Sequence, residues 1–85
     1  MSVSDLRLNL PPERATFTWE AGRLIHGQVR RAIQRGAWQH GLEVSFEESK
    51  GWLECIGRAT FVGEGAGEYA QLVSAWFQRL NEDEL

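Results

Sequence analysis

The sequence predicts an α+β domain of element order β-α-β-β-α, with two helices packed on one face of a three-stranded antiparallel sheet. Three observations predict it. Apolar residues alternate with polar ones at a period of two in three stretches, the signature of strands with one buried face. Between the first and second stretches, and again after the third, apolar residues recur at helical spacing. The second and third stretches are separated by a short glycine-containing segment of hairpin length.

The first stretch is Ala15, Phe17 and Trp19, alternating with Thr16, Thr18 and Glu20; threonines and aromatics favour the extended chain. A helix follows from about Ala21. At 100° per residue, Ala21, Ile25, Val29, Ala32, Ile33 and Gly36 fall on one arc, and Arg23, Arg30, Arg31, Gln34 and Arg35 on the opposite one. Either Gly36 or Gly41 can end it, because glycine readily takes the left-handed conformation that closes many helices.

Leu42, Val44 and Phe46 next alternate with Glu43, Ser45 and Glu47, and Leu53, Cys55, Gly57, Ala59 and Phe61 alternate with Glu54, Ile56, Arg58 and Thr60. If both apolar sets share a face, paired positions sum to an odd number. A two-residue turn at Lys50-Gly51 meets that condition, pairing Ser49 with Trp52 and setting Glu43 opposite Arg58. The loop Gly63-Glu64-Gly65-Ala66-Gly67 leads to a second helix, in which Tyr69, Leu72, Val73, Trp76, Phe77 and Leu80 form a wide apolar stripe.

Ahead of all this, Leu6, Leu8 and Leu10 alternate with Arg7 and Asn9 before Pro11-Pro12 stops the pattern. This segment is either a fourth, edge strand or an arm that packs on another copy. The chain reads as one domain over 1–85, with 1–5 and 81–85 as flexible ends. In element order it resembles the first five elements of the ferredoxin-like β-α-β-β-α-β unit, a likeness that carries no functional information.

Composition sets further bounds. Hydrophobic residues make up 42% of the chain, the level of a globular protein. A chain this short has a thin core, and one of its four tryptophans is expected to find no room inside. Cys55 is the single cysteine, so no internal disulfide forms. Neither a secretory leader nor an apolar run of membrane-spanning length is present, and the default expectation is a cytoplasmic protein without membrane contact.

Charge is unevenly spread. From Ala21 to Leu42 there are four arginines and no acidic residue; from Glu43 to Leu85 there are nine acidic residues against Lys50, Arg58 and Arg79.

Motifs for chemistry are weak. The Gly63-x-Gly65-x-Gly67 loop precedes a helix, where backbone N–H groups can hold phosphate, but a dinucleotide fingerprint would need glycine where Glu68 stands. His26, His40 and Cys55 have no metal-ligand spacing, and no metal or cofactor is expected. Cys55 faces inward from mid-strand, where cysteine is a small hydrophobe and not a nucleophile. The chain therefore reads as non-catalytic.

Two surfaces remain as candidates. One is the arginine face of the first helix, Arg23, Arg30, Arg31 and Arg35, joined by Trp38 if the helix continues that far, with Leu24 on the same stripe. The other is the outer sheet face carrying Trp52 and Ile56. The expectation is a small protein-interaction module that self-associates as a dimer, with an acidic protein as a further possible partner. The alternative is a nucleic-acid-binding domain using the arginine face, made less favourable by the net charge of −3.

Overall fold

The computed structural model describes residues 13–83. The Leu6–Leu10 segment, residues 1–5 and residues 84–85 lie outside the described residues. The order is β1 (Arg14–Gly22), α1 (Arg23–Gln39), β2 (Glu43–Lys50), β3 (Glu54–Val62) and α2 (Ala66–Asp83). The strands form one antiparallel sheet in the order β1-β3-β2. The α+β class and the element order are those predicted.

β3 is central, and its sequence explains why. Cys55, Gly57, Ala59 and Phe61 are all buried, so one face of this strand is dry along its length. Small side chains at the first three positions let large groups approach closely. A Cβ on Gly57 would lie 2.5 Å from the Trp19 ring and 2.8 Å from His26 Cε1, so only glycine fits beneath that ring pair.

The hairpin register differs from expectation. Lys50 pairs with Cys55 and Glu47 with Arg58, and the Gly51 N–H donates to the Glu54 carbonyl at 2.8 Å. Parity is kept, because Glu43 and Val62 still pair with an odd sum. The turn, however, is Trp52-Leu53, not Lys50-Gly51, and Glu43 does not face Arg58. The observed register lets Thr60, Phe61 and Val62 pair with β2 as well as with β1, filling both edges of the central strand. Its consequence is that Leu53, expected to point inward, stands exposed at the tip.

The core is formed by Trp19, Val29, Ile33, Ala37, Leu42, Ala59, Phe61, Ala66, Tyr69 and Val73. His26 stacks on Trp19 with centroids 5.0 Å apart, Tyr69 meets Phe61 edge-on at 4.9 Å, and Phe77 meets Phe17 at 5.9 Å. The Tyr69 hydroxyl donates to the Ile33 carbonyl at 2.9 Å, passing over Gly36, where a side chain would collide with it. Ala32 and Leu72, assigned inward by helical spacing, are exposed, because each lies at the margin of its apolar arc.

Two ends are fixed by specific bonds. α1 closes at Gly41, not Gly36. Gly41 has φ +71°, its N–H donates to the Trp38 carbonyl, and the Leu42 N–H donates to the Ala37 carbonyl. This doubly bonded left-handed C-cap is completed by burial of Leu42. At the start of α2, the Gly67 N–H donates to the Glu13 carboxylate and the Gly63 N–H to the Glu13 carbonyl. The helix N-terminus that offered an anion site is thus occupied by the chain's own carboxylate.

Candidate functional site

One residue of the arginine face, Arg23, meets the surface carrying Trp52 and Ile56 at the hairpin tip. The register that makes Trp52-Leu53 the hairpin turn brings these residues beside the first turn of α1. Trp52 is 91% exposed, Leu53 76%, Leu24 86% and Ile56 48%. Trp52 and Leu53 form a ridge between two open grooves. One, of about 360 Å³, is lined by Gly22, Arg23, Leu24 and Ile25 together with the ridge. The other, of about 440 Å³, is lined by Glu20, Ser49, Gly51, Glu54 and Ile56 together with the ridge. One flank of the ridge therefore carries a guanidinium and the other a pair of carboxylates.

That pair is a consequence of sheet register. Glu20 pairs with Ile56 and Gly22 with Glu54, which sets Glu20 and Glu54 diagonally across adjacent strands on one face. A hydrogen bond that the protonated Glu20 carboxyl donates to the Glu54 side chain, and then the like charge of Glu54, raise the Glu20 carboxyl above the usual carboxylate range. Among the described residues, no cation forms an ion pair with either. Arg23, across the ridge, reaches only the Gly51 carbonyl, at 3.5 Å.

On the opposite face, a second carboxylate, Glu48, is met by two basic side chains. β2 residues Val44, Phe46 and Glu48 share parity, so Glu48 points the same way as the apolar pair. His26 Nε2 lies 2.8 Å from Glu48 Oε2, and Arg30 Nε lies 2.7 Å from Glu48 Oε1, close enough for an ion pair but without hydrogen-bond alignment. Arg30 also covers the Phe46 ring at 4.7 Å. The His26 hydrogen bond, followed by the Arg30, His26 and Lys50 charges, lowers the Glu48 pKa against the opposing effect of burial. His26 is 4% exposed, and its Nδ1 and the Trp19 Nε1 lack hydrogen-bond partners among the described residues.

The sequence-predicted residues separate accordingly. Trp52 and Ile56 join the tip, as does Arg23. Arg30 leaves the open arginine face for Glu48. Arg31, Arg35 and Trp38 remain exposed further along α1, where Arg31 bonds the Gly27 carbonyl of its own helix at 3.4 Å. On the sheet, Arg58 pairs with Glu47 at 2.9 Å. Sequence reasoning missed Leu53, Glu20 and Glu48. The parity of Glu48 with Val44 and Phe46 was a readable signal that it faces the core side and needs a cation.

For chemistry the arrangement offers little. Cys55 is buried, and its thiol is unpaired. His40 Nδ1 lies 2.8 Å from the Gly36 carbonyl at the end of α1. Among the described residues, no three His, Cys, Asp or Glu side chains gather as metal ligands, and no helix is long and apolar enough to cross a membrane. A separate apolar depression of about 380 Å³ lies between the helices, lined by Ile33, Tyr69, Leu72 and Trp76 among others. Compared with protein-family models, curated proteins and solved structures, the chain matches none.

Proposed function

We propose that this chain is a small non-catalytic protein-interaction module that self-associates through the hairpin tip. One observation carries the reading: Leu24, Trp52, Leu53 and Ile56 are exposed around a single ridge. Single exposed apolar residues are ordinary, whereas a contiguous patch with a charged rim is the usual mark of an association surface. Tryptophan is also enriched at binding hot spots, because it offers large area on a stiff side chain.

The packing supports this reading. α1 touches the sheet at Trp19, and α2 touches it at Phe17 and Phe61. Those strand positions share parity, in keeping with both helices covering one face and leaving Thr18, Ile56 and Arg58 on the open one. A lone buried thiol suits a reducing compartment, with the cytoplasm as the default. Arg31, Arg35 and Trp38 lie outside the tip and suit an additional acidic protein partner. The nucleic-acid reading is weaker than the sequence alone implied, since Glu48 neutralises Arg30 and the open sheet face carries Glu20, Glu47 and Glu54.

Light scattering across a concentration series tests the proposal. The wild-type chain is expected to approach a dimer mass at high micromolar concentration. A Trp52→Ser/Leu53→Ser variant is expected to stay monomeric with its thermal midpoint little changed, because both side chains are exposed. A wild-type monomer throughout the series overturns the proposal.

A further inference from the structure

We infer that the partner at the hairpin tip is a second copy of this chain, docked about a two-fold axis that runs along the Trp52-Leu53 ridge, so that Arg23 of each copy meets the Glu20/Glu54 carboxylates of the other. This rests on the self-association reading and adds its geometry. The tip has a basic flank and an acidic flank on either side of an apolar ridge. A two-fold axis lying in the contact plane, parallel to the ridge, exchanges the flanks: the Arg23 groove of one copy lies over the carboxylate groove of its mate. The same surface is then complementary to itself, as an isologous dimer requires. An axis perpendicular to the ridge would place arginine on arginine and carboxylate pair on carboxylate pair.

The charges favour the first arrangement. Glu20 and Glu54 lie diagonally across adjacent strands on one face, and hydrogen bonding to Glu54, then its like charge, raises the Glu20 pKa. A guanidinium can donate N–H bonds to both carboxylates from its planar fork and relieve that repulsion. Arg23 has no carboxylate partner among the described residues. Leu24 and Ile56 flank the ridge on opposite sides, so the exchange that pairs the charges also brings these two apolar residues together across the axis. Each copy contributes both halves of two equivalent contacts.

The test is a charge-swap mixture followed by sedimentation equilibrium. Arg23→Glu sets acid against acid in its own dimer, and Glu20→Lys/Glu54→Lys sets base against base. Each is expected to weaken self-association by more than about tenfold, because facing like charges are strongly unfavourable. Mixed in equal amounts, they are expected to recover association as a heterodimer, in which both contacts are again attractive. Circular dichroism of each variant verifies that it is folded. Should either be unfolded, the salt dependence of the wild-type dimer decides: weakening with added salt supports the exchange, and indifference to salt overturns it. If wild type and both charge variants dimerise alike, while Trp52→Ser/Leu53→Ser is monomeric, the Arg23 exchange is wrong and the tip remains the interaction surface. If wild type never dimerises, both readings fall together.

Discussion

Glu48 and Glu20 occupy neighbouring rungs of the same sheet and have opposite fates. Glu48 lies on the rung that continues through Gly57 to Trp19, and Glu20 on the next, through Ile56 to Ser49. Glu48 is met by an imidazole and a guanidinium, and its pKa falls. Glu20 is met by another carboxyl, and its pKa rises. The same side chain is a clasp where the fold supplies cations and an unanswered charge where it does not. Local satisfaction thus separates the carboxylate that the fold pairs from the one that, among the described residues, has no cation beside it.

The largest expected effect comes from breaking the clasp from below. Gly57→Ala drives a methyl into the Trp19 and His26 rings, which are buried and have no room to swing aside. It is expected to destabilise the fold by about 2–3 kcal/mol, the upper range for overpacking, read from the urea midpoint. An unchanged midpoint would mean that the ring stack over Gly57 is not rigid.

A smaller loss is expected from Glu48→Gln, which removes the carboxylate and keeps its shape. At neutral pH the change should cost about 1–2 kcal/mol, the lower part of the range for a hydrogen bond to a charged group, because the Glu48 side chain is part-exposed. The pH dependence sharpens the comparison. A carboxylate with a lowered folded pKa adds stability that is present above its ordinary 4.5 and is lost as pH falls through the folded value. Wild type should therefore lose stability in acid over that window, and the glutamine variant should lose less.

The smallest effect has the opposite sign. Glu20→Gln removes one member of a repelling, exposed pair. Because the folded pKa of Glu20 is raised, the pair favours folding at low pH and loses that advantage as pH rises through the raised value. The variant should melt slightly higher than wild type near neutrality, and the difference should shrink in acid. A variant that melts lower at neutral pH would show that the two carboxyls support the monomer.

Much of the fold was legible because it is local. The alternation of Phe17 and Trp19, the arc of Val29 and Ile33 and the parity of the hairpin all follow from short-range pattern. The turn was misplaced because Lys-Gly carries the dihedral freedom that hairpin turns favour, whereas Trp-Leu carries none. The longer ladder on β3 outweighed that preference. In the candidate site, Arg23, Trp52 and Ile56 were named from sequence, but on two separate surfaces. Their meeting at one tip depends on the register, as does the pairing of Glu20 with Glu54, and no periodicity within either strand reports which strand will lie beside it. The ion pair of Arg30 was not legible for the same reason, since its partner Glu48 is eighteen residues away on another element.

The contact between Glu13 and the start of α2 has a bearing on how the chain assembles. The two groups are 54 residues apart in sequence. Their bond forms only after β1 has joined β3 and α2 has arrived, because loop closure over such a length is unfavourable until other contacts hold the ends. The β2–β3 hairpin, by contrast, closes over a few residues. Glu13 is therefore expected to act late, on the native side of the folding barrier, so that Glu13→Ala speeds unfolding more than it slows folding, a latch on unfolding and not a guide to folding.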